Sequence, residues 1–310
     1  CDLLRVEQLL SQLSYPPKKK TIQLIIKSNK ENGTLFAVKF YMFSIIRTGL
    51  DASNKDLAVI SNNIANAGTN GFKKSEAQFE DLYHSQHNNS TEIARGMGVK
   101  SIKPRQSFSQ GSLQATNGSL DLAIMGEGFF VLGQPLGRAV AINDRPAYSR
   151  DGSFQLDREG NLVNTDGLPL LGLGQTPINI PFISQIMDGQ QSKDAMLSEI
   201  SVNSEGEIIA TYGIDNVKKV GQIQLADFVN EHGLKNTGNA RFQQTEESGE
   251  PTFGLPKERT IGKIQAGFLE KSNTDITDEI ILMMRTQRAF NGCSKLLQTE
   301  VDITKKLSAR

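Results

Sequence analysis

Two segments of this 310-residue chain carry apolar or small residues at alternating spacings of four and three, and a long strand-rich stretch lies between them. In the first segment the repeat is Ile46, Leu50, Ser53, Leu57, Ile60, Ile64 and Ala67; in the second it is Ile276, Ile280, Met283, Gln287, Phe290, Ser294, Leu297 and Val301. A seam with a period near 3.5 buries its stripe against another helix and favours coiled-coil packing over an ordinary globular helix face. Both ends are therefore expected to pair with helices, either with each other in one intramolecular core or with those of another subunit.

Bulk properties narrow the partners. The formal net charge is zero, which argues against a nucleic-acid or anionic-membrane surface, because either needs a basic excess. The same balance suits subunits packed densely beside copies of themselves. Cysteine occurs only as Cys1 and Cys293, at the terminus and inside the second helical segment, so no structural disulfide is expected. The most apolar run, residues 35–46, carries Lys39 and is far shorter than the roughly 20 residues of a bilayer span. No small-residue cleavage site follows it, so it is not read as a cleaved signal.

Along the chain, residues 1–41 contain Pro16-Pro17 and a lysine triplet and lack sustained periodicity. They are expected to be an atypical extension, disordered or non-native, with Met42 the natural start. Residues 42–75 read as a first helix, from about Phe43, and the turn that ends it, where Asn66, Gly68, Asn70 and Gly71 tolerate positive φ. Residues 76–264 read as a central β-rich domain of short hairpins, and 265–310 as a C-terminal helix. Within the β region, Asp157-Arg158-Glu159-Gly160 and Asn203-Ser204-Glu205-Gly206 use the same turn device, glycine supplying the left-handed position. Asp275 is the expected N-cap of the second helix, Asp278 and Glu279 favour its first turn, and Lys305 and Lys306 its last. About 30 residues of helix span roughly 45 Å, more than a small β domain covers. The expected class is α+β, with terminal helices forming a coiled-coil-like layer around a central, mainly antiparallel β domain.

Catalytic arrangements are missing. His84 and His87 sit in a polar stretch without the third and fourth ligands a metal site needs, and His232 has no evident partner. Gly96-Met97-Gly98 and Gly126-Glu127-Gly128 extend to no nucleotide fingerprint and read as turn glycines. Cys293 reads as a small buried seam residue. No enzyme activity, metal or cofactor is expected.

Four ordered segments resemble one family. The first runs from Gly49-Leu50-Asp51-Ala52 through Asn62, Asn63 and Asn66 to Thr69-Asn70-Gly71-Phe72-Lys73. The second is Ser119-Leu120-Asp121-Leu122-Ala123-Ile124 with Gly126-Glu127-Gly128-Phe129-Phe130, and the third is Tyr148-Ser149-Arg150-Asp151-Gly152-Ser153-Phe154. The fourth is Gly267-Phe268-Leu269-Glu270-Lys271-Ser272-Asn273, leading to Gln287-Arg288-Ala289-Phe290. Together they resemble the bacterial flagellar axial proteins, the rod and hook family, from about Met42 to the end of the chain.

The resemblance implies a subunit exported through the flagellar type III apparatus without a cleaved signal peptide, located in the periplasm-spanning rod of the basal body. It would polymerise with copies of itself and other axial proteins, the terminal helices lining a helical tube and the β domain lying outside. The assembly residues are then Ile46, Leu50, Leu57, Ile60, Ile64, Ile276, Ile280, Met283, Phe290, Leu297 and Val301. About 120 residues separate Phe154 from Asp275, room for roughly one β domain, whereas hook subunits of this type usually carry further outer domains there; a rod subunit is favoured. The linker between Tyr83 and Gly96 lacks the longer insert that distal-rod proteins often show, so proximal-rod and short-hook alternatives stay open. The stretch from Gly133 to Ala147 looks longer than the family's usual hairpin. A reading from a different class is a secreted β-rich adhesin or binding module, which has no need of two terminal helical seams.

Overall fold

The computed structural model describes residues 19–84, 95–134, 146–188, 191–213, 216–258 and 260–308. Helix α1 spans Lys19–Ala65 and helix α2 spans Ile276–Ser308. Helix α1 begins well before residue 43, so the expected start lies inside it. No proline follows Pro17 before Ala65, and helical backbone needs only compatible residues and free N–H groups, whereas the seam pattern starts later. Residues 1–18, Cys1, His87 and most of the stretch 133–147 lie outside the described residues.

The chain divides into two compact units. One comprises the described parts of Cys1–Asn54, Phe79–Ser101 and Gln287–Arg310. Its strands Phe79–His84 and Arg95–Ser101 pair antiparallel. This hairpin was read from sequence as the start of the central β region; it clusters instead with helical segments. The physical reason is a close approach: a Cβ at Gly98 would meet Thr48 Oγ1, and Val99 N–H donates to that oxygen at 3.3 Å.

The other unit comprises Lys55–Gln78 and Ile102–Thr286. A six-stranded antiparallel sheet places Phe129–Leu132 between Ala147–Ser149 and Leu225–Asp227. Phe129–Leu132 is buried on both faces, and its period of two sends alternate residues to two cores. Phe130 and Leu132 join Leu122, Ile124, Phe154 and Leu162. Phe129 and Val131 join Phe108, Tyr148, Phe228 and Phe242, where Phe129 meets three other phenylalanine rings edge-on. Each fully buried aromatic or aliphatic side chain contributes about 1.5–3 kcal/mol, so this one strand ties two cores together.

A four-stranded antiparallel sheet runs in the order Ile183–Asp188, Gln191–Val202, Glu207–Tyr212, Asn216–Gln222. The repeated turn device forms as expected. Gly160 and Gly206 both take positive φ, and their N–H groups donate to Asp157 O and Asn203 O, each at 2.9 Å. Gly126 and Gly128 are likewise positive-φ turn residues.

Candidate assembly interface and its buried junction

Helix α1 ends at Ala65 and hands over to a short turn. Asn66 Nδ2 donates to Asn62 O at 2.9 Å, and Thr69 Oγ1 donates to Asn66 Oδ1 at 3.3 Å. Gly71 then takes φ +66° and donates its N–H to Glu270 O at 2.8 Å. A side chain at Gly71 would collide with the backbone of Arg150 and Asp151, so glycine there serves both the turn and the close approach. Phe72 follows, buried, and Lys73 is buried beside it.

Lys73 opens an ionic cluster with no counterpart in the sequence reading. Its ammonium lies 2.7 Å from Glu270 Oε1 and donates to Ser109 O at 2.8 Å. Glu270 Oε1 also accepts from Gly111 N–H at 2.9 Å. The guanidinium of Arg150 stands 3.6 Å from Glu270 Oε2, donates to Gly126 O at 2.8 Å and lies 5.0 Å from the centre of the Phe129 ring. All three charged side chains are at most 2% exposed. Burial pulls the Lys73 ammonium below its ordinary value, and the Glu270 carboxylate pulls the other way. Removing either partner of such a pair leaves an uncompensated buried charge.

The cluster joins all four segments that carried the resemblance. Lys73 comes from the first, Gly126 and Phe129 from the second, Arg150 from the third and Glu270 from the fourth. Sequence reasoning quoted these charged residues without assigning them a role, because Lys73 and Glu270 are 197 positions apart and no local periodicity links them. Charged residues embedded among glycines and aromatics were the available signal.

A second junction fastens the segment before α2. Asn273 Oδ1 accepts from Lys74 N–H at 2.8 Å, while its amide donates to Ser107 O at 2.9 Å and Ser109 O at 3.1 Å. Ser272 Oγ accepts from Thr274 N–H at 3.1 Å. Asp275 caps α2 as expected, its Oδ1 accepting from Thr277 N–H at 2.8 Å. His232, read as unpartnered, in fact pairs through Nδ1 with Gln106 O at 2.8 Å.

The two helices run antiparallel where they meet. Buried Asn63 exchanges hydrogen bonds with the backbone of Ser75 at 2.8 and 2.9 Å and donates to buried Glu279 at 3.2 Å. Seven residues back along α1 and seven forward along α2, Thr286 Oγ1 donates to Asp56 Oδ2 at 2.7 Å. In the other unit Gly49 faces Cys293, whose Sγ lies 3.6 Å from the position of a Cβ on that glycine. Cys293 is half-buried, not fully buried.

The expected seam residues divide accordingly. Ile60 is buried, and Ile46, Leu50, Leu57, Ile64, Met283, Phe290 and Leu297 are half-buried. Ile276, Ile280 and Val301 are instead exposed, at 51%, 45% and 37%. Polar pairing at Glu279 and Thr286 rotates the inward stripe of α2 by about one residue, since a side chain that hydrogen-bonds across a helix pair fixes which face turns inward. Ile276, Ile280 and Met284, four apart and therefore stacked on one face, stay uncovered in the single chain. Gln287 and Arg288 are exposed on α2 and belong to the unit that holds Gly49 and Cys293.

Comparison with known proteins matches segments along the whole of this region. Residues 45–73 match the family model described as flagella basal body rod protein, 123–210 the flagellar hook protein FlgE/F/G D1 domain, and 265–310 the flagellar basal body rod FlgEFG protein C-terminal. A flagellar basal-body rod protein FlgG from Buchnera aphidicola of Schizaphis graminum is 36% identical over 85% of this chain and 97% of its own length. FlgG of Agrobacterium fabrum is 33% identical over 83% of this chain and 94% of its own length. The flagellar hook protein FlgE of Escherichia coli is 32% identical over 67% of this chain but only 54% of its own length.

Proposed function

The chain belongs to the bacterial flagellar basal-body rod and hook family, as a structural subunit of the rod, and on that premise we propose that it polymerises through apolar helix surfaces that the single chain leaves uncovered. The observation that carries this reading is the stripe Ile276, Ile280 and Met284 on α2, exposed beside the face that pairs with α1 through Glu279 and Thr286. An apolar stripe that width and length is stabilised only when another helix covers it. In the polymer the terminal helices form an inner coiled-coil layer.

The match in length supports the rod over the hook, because rod relatives align almost end to end and the hook relative is about twice the aligned span. Family members assemble into the axial structure with one another, and copies of this chain and its axial relatives are the partners. Export through the flagellar type III apparatus without a cleaved signal, and a position spanning the periplasm, follow from this family reading. No helix among the described residues is long and apolar enough to cross a membrane.

The test is the double variant Ile280→Asp, Met284→Asp in the full chain. Both positions are exposed, so the thermal transition of the single chain should stay in place, while sedimentation should show loss of polymer. Polymer formation equal to the parent would overturn the proposal.

A further inference from the structure

The tripeptide Thr-Asn-Gly occurs twice, at 69–71 and at 116–118, and the fold treats the two copies differently. At the first, Gly71 is buried, its N–H donates to Glu270 O at 2.8 Å, and a Cβ there would meet the backbone of Arg150 and Asp151. The second lies between the strands Leu113–Ala115 and Leu122–Met125. Here Asn117 is exposed, and among the described residues nothing accepts from the Gly118 N–H and nothing bonds the Asn117 carboxamide. Asn117 also holds φ +61°, a left-handed conformation that even asparagine adopts at some cost, so little retains it. The other two Asn-Gly pairs, Asn32-Gly33 and Asn291-Gly292, lie inside α1 and α2, where the glycine N–H is tied to the carbonyl four residues back.

We propose that Asn117 is a site of spontaneous deamidation, with water as co-reactant, and that the fold protects Asn70 in the same tripeptide. The Gly118 nitrogen gives its proton to solvent base and attacks Asn117 Cγ. The new C–N bond closes a five-membered succinimide, the bond from Cγ to NH₂ breaks, and ammonia leaves with a proton taken from water. Water then opens the ring. Cleavage at Cγ restores the ordinary backbone with aspartate at 117, whereas cleavage at the backbone carbonyl routes the chain through Cγ as isoaspartate. Either product replaces a neutral carboxamide with a carboxylate, and nothing is oxidised or reduced. Glycine as the next residue leaves the attacking nitrogen unobstructed, having no side chain. Ring closure also needs rotation about the Cα–C bond of Asn117. An exposed residue whose carboxamide and following N–H are both untied can make that rotation. At Asn70 the same rotation would break the bond to Glu270 O and drive Gly71 against the Arg150-Asp151 backbone.

The experiment incubates the full chain as dilute monomer at mildly alkaline pH and follows, by mass spectrometry with fragmentation, the peptides that carry Asn117 and Asn70. The Asn117 peptide should gain the mass difference between NH₂ and OH and split into aspartate and isoaspartate forms, about tenfold or more faster than Asn70 converts. That ratio is the scale of parting the buried Gly71 N–H from its acceptor. In urea, where neither copy is held, the two rates should converge. Equal native rates, a faster Asn70, or an Asn117 that converts only in urea would overturn the proposal. A ratio unchanged in urea would trace the difference to local sequence and overturn the protection by the fold. Because the formal net charge is zero, one added carboxylate should also produce a band of lower isoelectric point. Asn117→Gln, whose longer side chain must close a six-membered ring, should remove most of that band; its persistence at full strength would place the modification elsewhere and overturn the assignment to Asn117.

Discussion

At the scale of single residues, stability is concentrated in Lys73, Arg150 and Glu270. Lys73→Met leaves Glu270 Oε1 with the Gly111 N–H but without its shortest and only charged partner, and breaking a buried pair costs about 3–5 kcal/mol. Urea unfolding should show that loss. The exposed Lys74–Glu76 pair, at 3.8 Å, offers a contrast: Glu76→Gln should change stability by less than about 1 kcal/mol. Asp151, next to the cluster, gives a pH prediction. Its burial raises the carboxyl above the ordinary carboxylate range, against hydrogen bonds from Ser153 that lower it. The folded chain then holds that proton more tightly than the unfolded chain. Between the ordinary range and the raised value the unfolded state ionises first, so this group's contribution falls as pH rises through that window. Asp151→Asn keeps an acceptor for Ser153 and removes the titration, so its urea midpoint should decline less steeply over the same window. A profile parallel to the parent's would contradict the assignment.

At the scale of elements, α1 and α2 are not uniform along their lengths. The segments 55–65 and 276–286 belong to the β unit, where Ile60, Asn63 and Glu279 are buried and Asn63 is tied to the backbone of Ser75. Local opening there requires breaking those bonds, whereas residues 287–308 carry mostly exposed or half-buried side chains. Hydrogen exchange on the monomer should therefore show slower exchange in 276–286 than in 287–308, since protection follows local burial and hydrogen bonding. Equal rates across α2 would show that the β unit does not anchor it. Asn63→Ala, which loses three hydrogen bonds, should speed exchange in both anchored segments.

At the scale of the whole molecule, folding is assigned to one of the two units. The β unit holds both buried cores. A chain limited to residues 55–286 should keep the cooperative unfolding transition of those cores, and its polymer should be weakened, because it keeps Ile276, Ile280 and Met284 but lacks the rest of both helices. Loss of the transition on this truncation would show that the cores depend on the outer helical segments.

Legible in the sequence were the features with short-range physical causes. The two terminal helices announced themselves through their period, the Gly160 and Gly206 turns through glycine's tolerance of positive φ, and the start of α2 through the oxygen of Asp275. The axial family was legible because its motif segments occur in order. The tertiary structure alone decided which face of α2 turns inward, since that depends on Asn63 meeting Glu279 and Asp56 meeting Thr286 across the fold. It alone joined Lys73, Arg150 and Glu270. A salt bridge between residues nearly two hundred positions apart leaves no periodic trace in the chain, and a charged side chain is buried only after the fold has supplied its partner.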